Sequence, residues 1–110
     1  GGEPAAPAPD VYVVHQGDAA TRLAFRAAEG LRDQGINVVL HCGGGSFKSQ
    51  MKKADASGAL FAVVIGDDEA TVGEAQLKPL REEGAGQTQL KVDDLAEAII
   101  GQLIDIQEED

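Results

Sequence analysis

The stretch that decides the fold is 38–53, Val-Val-Leu-His-Cys-Gly-Gly-Gly-Ser-Phe-Lys-Ser-Gln-Met-Lys-Lys. It begins with an apolar run typical of a buried strand, and the three glycines that follow allow the backbone to turn sharply. Ser46 is a good N-cap, because its hydroxyl can accept a backbone N–H from the first turn of a helix. Phe47 and Met51 then share one helical face. The stretch therefore predicts a strand, a glycine turn and a helix over about 46–57.

Two further apolar runs, Val11–Val14 and Leu60–Ile65, have the composition of strands covered on both faces. Residues 37–40 are predicted to form a third such strand. Between the first run and this strand, apolar residues recur at helical spacing. Asp18 is placed to cap that helix and Gly35 to end it. Strand, helix, strand, helix and strand at this spacing predict right-handed crossovers, and therefore parallel strands.

The C-terminal half has a different pattern. Gly66–Glu69 predicts a turn, and residues 74–80 and 87–91 alternate apolar and polar side chains, as half-buried antiparallel strands do. Pro79 favours an edge position, because proline cannot donate a hydrogen bond to a neighbouring strand. Asp93 is placed to cap a last helix, whose apolar stripe consists of Leu95, Ile99, Leu103 and Ile106. The predicted fold is an α/β domain, a five-stranded mixed sheet with helices on both sides.

The ends of the chain differ in composition from its middle. Residues 1–9 contain three of the four prolines and no large apolar side chain, which predicts a semi-extended linker to an upstream part of a longer protein. Residues 10–106 are predicted to form the domain. Residues 107–110 are predicted to form an acidic tail.

Length, charge and cysteine content narrow the classes of protein to which the chain can belong. With 110 residues it is expected to form one domain around a single core. One cysteine excludes an internal disulfide and predicts a reducing, cytoplasmic setting. No apolar run approaches the roughly 20 residues of a membrane span, so no membrane partner is predicted. The net charge of −10 opposes nucleic-acid binding unless the few cations gather on one face.

Two kinds of catalytic or cofactor site find little support in the residue pattern. His15, His41 and Cys42 offer two imidazoles and a thiol, but no metal-binding or thiol-catalysis spacing, so they are expected to line the carboxyl edge of the sheet. The glycine run lacks the spacing of nucleotide-binding loops. A weaker possibility remains open: the backbone amides at the helix start, with Lys48 nearby, can hold one phosphate of a polymer.

The two predicted antiparallel strands expose amide and ammonium groups on one face. Such groups can read the base edges of unpaired nucleotides, or they can form a plain hydrophilic surface. Phe47 can stack on a base or belong to the core, and Glu69 can be a solvated turn residue or accept hydrogen bonds from a base amine. The residues alone leave these alternatives open. The exposed face consists of Gln76, Lys78, Gln87, Gln89 and Lys91.

Three groups of residues carry a family resemblance: Gly43-Gly-Gly-Ser-Phe-Lys-Ser-Gln50, Val63-Val-Ile-Gly-Asp-Asp-Glu69, and Gly73 with Lys78 and Leu80. Together they resemble the C-terminal anticodon-binding domain of bacterial histidyl-tRNA synthetases, over about residues 10–104. The resemblance implies a five-stranded mixed sheet flanked by three helices. It also implies a separate class II catalytic domain in the same parent chain, which binds ATP, Mg²⁺ and histidine and forms a homodimer. It implies no catalytic residue, metal or cofactor in this domain, so these 110 residues alone are not expected to aminoacylate tRNA.

The partner that the resemblance implies is the anticodon loop of histidine tRNA. Glu69 and Lys78 match positions at which related synthetases contact anticodon bases. The central helix matches the element that meets the loop, with Lys48, Gln50 and Lys52 as its contacts. The remaining predicted RNA contacts are the loop residues Gly44, Gly45 and Ser46 and the strand residues Gln76 and Gln87, with Lys53 and Arg81 in support. The alternative, suggested by the net charge, is a regulatory or protein-interaction module on the same fold with weak or lost tRNA binding.

Overall fold

The protein is built around one five-stranded sheet, seen in a computed structural model that describes residues 7–82, 84 and 86–108. The strand order is β2-β1-β3-β4-β5. The first three strands are parallel to one another, and β4 and β5 are antiparallel to their neighbours. This is the predicted mixed sheet. The strands are β1 (Val11–His15), β2 (Val38–Leu40), β3 (Phe61–Ile65), β4 (Glu74–Pro79) and β5 (Thr88–Lys91).

Helices cover both faces of the sheet, as the sequence predicted. Two of them, α1 and α4, pack on one face, and α2 packs on the other. None of the helices in the described ranges is long and apolar enough to cross a membrane. The helices are α1 (Asp18–Asp33), α2 (Phe47–Ala56), α3 (Asp67–Val72) and α4 (Leu95–Glu108), the last preceded by a 3₁₀ turn (Val92–Asp94).

The core is divided by the sheet into a large and a small cluster. The large cluster joins alternate residues of β1 and β3, such as Val13 and Phe61, to the alanine-rich face of α1 and to Ile99 of α4. The small cluster lies under α2 and contains Tyr12 and Val14. Because α2 packs on β1 and β3 only, the same face remains open over β4 and β5.

The predicted turn at residues 66–69 is wrong, because these residues begin the six-residue helix α3. The carboxylate of Glu69 accepts a hydrogen bond of 2.8 Å from the Gly66 N–H, and three acids in the first turn complement the helix dipole. Gly73 ends the helix with a φ of 70°. A helix this short contains less than two turns, so it leaves no periodic signal in the sequence.

Three smaller expectations are also corrected. β2 lies at the edge of the sheet and is not covered on both faces as expected, since Val39 is 38% exposed. Gly17, not Asp18, is the N-cap of α1, and Asp93 lies in the 3₁₀ turn before α4. At the other end of α4 the helix continues through Glu108, where a tail was predicted from residue 107. Residues 1–6 of the predicted linker and 109–110 of the tail lie outside the described residues.

Candidate nucleic-acid interface

The carboxyl ends of the three parallel strands meet at one edge of the sheet, the carboxyl edge. There β2 leads into the exposed loop Gly43–Gly45, the glycine loop, and α2 begins soon after it. β1 leads into Gln16 and Gly17, and β3 leads into Gly66 at the start of α3. Open α/β sheets bind ligands in the crevice outside the carboxyl ends of their strands. The carboxyl edge is therefore the first candidate for a binding site.

The glycine loop has a backbone that only glycine adopts without strain. The φ angles of Gly43, Gly44 and Gly45 are 101°, 67° and 101°. After the loop Ser46 caps α2 as predicted, since its Oγ accepts a hydrogen bond of 3.2 Å from the Ser49 N–H. The predicted contacts Gly44, Gly45 and Ser46 are all exposed. A loop of this kind beside a helix N-terminus can present backbone N–H groups to a phosphate.

Gln50 holds the glycine loop to the end of β1. Its side chain is fully buried, accepts a hydrogen bond of 2.9 Å from the His15 N–H, and donates to the carbonyls of His15 (2.8 Å) and Gly45 (2.9 Å). The carbonyl of Val13 accepts from the N–H of His41, which follows β2. Alternate residues of a strand direct their N–H and carbonyl groups toward the same neighbour, so those of His15 also point to the β2 side. β2 ends before it reaches His15, and the amide of Gln50 provides the missing pairing.

The prediction that Gln50 contacts RNA is therefore wrong, because its side chain is buried and all its polar atoms are engaged within the protein. Its role is to position the loop. A signal for this was present in the sequence. Gln50 lies three residues after Phe47 and four before Ala54, which places it on the inner face of α2.

His41 fixes the loop from below. It is 3% exposed, and its Nε2 donates a hydrogen bond of 2.7 Å to the carbonyl of Gly44. Because a carbonyl only accepts, this bond sets the tautomer, and Nδ1 accepts a bond of 2.9 Å from the Tyr12 hydroxyl. Burial, and secondarily the charge of Cys42, raise the pKa of Tyr12, which keeps the phenol a donor. His15 Nε2 in turn donates to the His41 carbonyl.

The histidines thus line the carboxyl edge, as expected, and both nitrogens of His41 are used in holding the loop. Cys42 is exposed beside them. Among the residues that the structure describes, no group of three or more His, Cys, Asp or Glu side chains could hold a metal ion. The contact between His41 and the loop was not visible in the sequence, because it depends on the path of the three glycines.

The predicted cations Lys48, Lys52 and Lys78 are exposed and lie on one side of the sheet. The first two are on the outer face of α2. Lys78 pairs with Ala62 across β3 and β4, and directly opposed residues of antiparallel strands share a face. Two residues along β3, Val64 packs against the cluster under α2. Lys78 therefore faces the same side as α2.

Arg81 has structural partners, and its predicted support of RNA binding stays a prediction. Its guanidinium donates to the carboxylate of Asp55 at 2.9 Å and to the backbone carbonyls of Asp55 and Ala59. These bonds tie the end of α2 to the segment that follows β4. Lys53, the other supporting cation, is exposed at the last turn of α2.

The open face of β4 and β5 carries the predicted amides, arranged in a ladder. Gln87 donates to the side-chain oxygen of Gln76, and Gln89 donates to the carboxylate of Glu74, both at 2.6 Å. Glu74 was not included in the predicted face, although its alternation with Ala75 places it there. It adds a negative charge opposite Lys91. The face is therefore more mixed in charge than the sequence prediction assumed.

Glu69 lines a depression of about 370 Å³ between the ends of β1 and β3, the Glu69 depression. The side chain is half-buried, and Oε1 is held by the Gly66 N–H. Phe47 lines the same depression and packs against the core under α2, so the core alternative for this ring holds. Asp67 and Asp68 complete an acidic wall. Such a wall disfavours a phosphate and favours the amino or imino groups of a base.

Comparisons with known proteins agree with this architecture. The family described as "Anticodon binding domain" matches residues 10–102. The histidine–tRNA ligase of Dechloromonas aromatica (strain RCB) is 81% identical over 110 residues, which are 100% of this chain and 26% of that protein. That of Aromatoleum aromaticum is 67% identical over 99 residues, 90% of this chain and 22% of that protein. The chain thus spans about a quarter of the length of the curated relatives it matches.

Solved structures give the same result. Apo histidyl-tRNA synthetase from S. aureus superposes with a TM-score of 0.73 at 32% identity, over 83% of this chain and 23% of that one. Histidyl-tRNA synthetase from Nostoc sp. PCC 7120 gives 0.79 at 31% identity, over 88% and 23%. The RNA-binding domain of threonyl-tRNA synthetase from Cryptosporidium parvum, at 16% identity and a TM-score of 0.77, shares the fold. The resemblance predicted from the motifs is confirmed.

Proposed function

This chain belongs to the anticodon-binding domain family, and from that membership we propose that it binds the anticodon loop of histidine tRNA. The glycine loop, the outer face of α2, the Glu69 depression and the open face of β4 and β5 would form the interface. We propose further that the domain helps select tRNA for a catalytic domain of the histidine–tRNA ligase type in a longer protein. That protein would act in the cytoplasm as a homodimer. ATP and Mg²⁺ would be held by that catalytic domain, a proposal that rests on the similarity to histidine–tRNA ligases.

The observation that carries the proposal is the shared side of Lys48, Lys52 and Lys78. Much of the affinity of proteins for RNA comes from Lys and Arg side chains that neutralise phosphates. A chain with 9 cations and 19 acids can neutralise phosphates only where several of its cations lie together. The alternative, an interaction module that has lost RNA binding, predicts cations scattered among acids. The three lysines lie together on the side of the sheet that bears the amide ladder, where Glu74 and Asp55 are the neighbouring acids.

Base recognition is assigned to groups that are anchored by the fold. Glu69 is held at one oxygen by Gly66, so its carboxylate is fixed in place and can accept from a base in the Glu69 depression. Gln87 donates a hydrogen bond to Gln76, which holds both side chains in place. The side-chain oxygen of Gln87 can then still accept from a base, and the side-chain NH₂ of Gln76 can still donate to one. Unpaired bases offer the donor and acceptor edges that such groups read.

A binding series with an RNA hairpin whose loop carries GUG, the anticodon of histidine tRNA, tests the proposal. We expect Lys48→Ala to weaken binding to any loop sequence and to reduce the salt slope by about one. Arg32→Ala is the matched control, because Arg32 lies at the opposite edge of the sheet, where it donates to the carbonyl of Val38. Equal effects of the two substitutions would contradict the placement of the interface, and no binding by the unsubstituted chain at low salt would overturn the function.

A second substitution tests base reading. Glu69→Gln retains an oxygen for the Gly66 N–H but replaces a carboxylate with an amide. We expect it to reduce the preference for GUG over altered loops by about 1–3 kcal/mol while changing the salt slope little. An equal loss of affinity for GUG and altered loops would show that Glu69 does not read a base.

A further inference from the structure

A second depression of about 710 Å³ lies at the carboxyl edge, on the other side of Gln16 and Gly17 from the Glu69 depression. We refer to it as the Phe25 depression. Its walls are the N-terminal half of α1, the end of β2 and the glycine loop. Gln16 and Gly17 line both depressions, so the two are neighbours along one edge. The side chains that form it are His15, Gln16, Thr21, Phe25, Leu40, His41 and Cys42.

Phe25 is exposed in this depression to an extent that no other aromatic residue of the chain reaches. Its exposure is 55%, whereas Tyr12 and Phe61 are buried and Phe47 is half-buried. The neighbouring Ala24 is fully buried, so Phe25 lies off the inner stripe of α1 and contributes little to the core. A large apolar side chain exposed in a concave site is typical of a surface that binds a ligand.

The charge of the Phe25 depression suits a nucleic acid. None of its described lining residues is a carboxylate, although the chain contains 19 acids. The Glu69 depression, by contrast, contains three carboxylates, and the groove between α1 and α4 contains Asp93 and Glu97. On the same side of α1, Arg22 is exposed one turn before Phe25 and Glu29 one turn after it, so the two charges next to the ring balance. A phosphodiester chain can therefore approach Phe25 without passing an acid of the depression.

We propose that the Phe25 depression binds an unpaired nucleobase of RNA, stacked on the ring of Phe25. The polar lining suits the rest of a nucleotide: the exposed amide of Gln16 can bond the base edge, and the glycine-loop backbone allows close approach of a ribose or phosphate. The inference rests on the proposed function and extends it.

The chain contains no tryptophan, so Phe25→Trp places a single fluorescent indole in the depression. We expect its emission to be quenched when the GUG hairpin is added, and expect less quenching with a hairpin that lacks one base of the loop. Phe25→Ala should raise the Kd roughly 5- to 150-fold, the range of base–aromatic stacking, while Phe25→Tyr should stay close to the unsubstituted chain. Ile104→Ala is the control, because Ile104 is 49% exposed near the C-terminal end of α4. The next two residues, Asp105 and Ile106, line a groove with Leu60 and Phe61 at the start of β3, away from the carboxyl edge.

The outcomes separate this inference from the proposed function. If Phe25→Ala binds the hairpin as tightly as Ile104→Ala while Lys48→Ala still weakens binding, the stacking site is refuted and the proposed function stands. Quenching without sensitivity to any single missing base would also refute stacking. If the unsubstituted chain does not bind the hairpin at low salt, both proposals fail together.

Discussion

Replacing Gln50 by leucine tests the claim that this side chain completes the sheet and positions the glycine loop. Leucine has nearly the same size but can neither donate nor accept, so the N–H and carbonyl of His15 lose their partners, while the exposed Gly45 can bond water. Two partly buried backbone groups left unpaired cost about 2–4 kcal/mol. Burying the more apolar side chain returns about 1 kcal/mol. We therefore expect Gln50→Leu to lower the free energy of unfolding by about 1–3 kcal/mol.

Urea unfolding followed by circular dichroism measures this loss, with Gln107→Leu as the matched control on the exposed surface of α4. Gln50→Glu sharpens the test. At neutral pH a carboxylate cannot donate to the carbonyls of His15 and Gly45 and would be a buried charge, so its cost should exceed that of leucine. At about pH 4 the introduced glutamate is protonated, so the costs of Gln50→Glu and Gln50→Leu in free energy of unfolding should become more similar. If Gln50→Leu stays within about 0.5 kcal/mol of the control, the assigned role is wrong.

Two further predictions concern the loop and its support. Tyr12→Phe removes the donor to His41 and should cost about 1 kcal/mol at neutral pH. Because burial raises the pKa of Tyr12 above its ordinary value of 10.0, the unfolded chain loses this proton first, and stability falls as the pH rises past that value. Phenylalanine has no proton to lose, so the difference in free energy of unfolding between the unsubstituted chain and Tyr12→Phe should shrink as the pH rises above 10.0 in urea unfolding. A difference that stays constant with pH would contradict this prediction. Gly44→Ala, at a φ of 67° with open space, should cost about 1 kcal/mol in thermal unfolding. Gly45→Ala should cost more, since its Cβ would lie 2.8 Å from the Ser49 Oγ; equal losses would contradict the loop geometry.

The fold was predictable because its main signals are local. The apolar runs of β1 and β3, the glycine at the end of α1 and the alternation in β4 each reflect contacts that repeat along the chain. The wrong expectations occurred where a neighbour in space decides the outcome. β2 has the composition of a buried strand, yet within the described sheet it pairs only with β1, and its face on the α2 side is uncovered because α2 packs over β1 and β3.

The candidate site was predictable only in part, for a related reason. Residue type alone suggested Gln50 and Arg81 as RNA contacts, but both side chains have protein partners that come from other elements of the fold. The exposed lysines needed no such partner, and sequence reasoning placed them correctly at the surface. The spacing of apolar residues in α1 places Phe25 off its inner stripe, but only the path of the glycine loop shows that the ring lies in a depression.

The sheet keeps part of the acidic charge of this domain away from the proposed RNA-binding surface, although Glu74 and the acids of the Glu69 depression lie within it. Acids such as Asp94 and Glu97 lie in the 3₁₀ turn and in α4, which packs on the face of the sheet opposite α2. A helix layer is separated from the sheet by about 10 Å, and the Debye length at physiological salt is about 8 Å, so these charges are largely screened at the lysine side. What an approaching RNA meets is then the local surface of α2, Lys78 and the carboxyl edge.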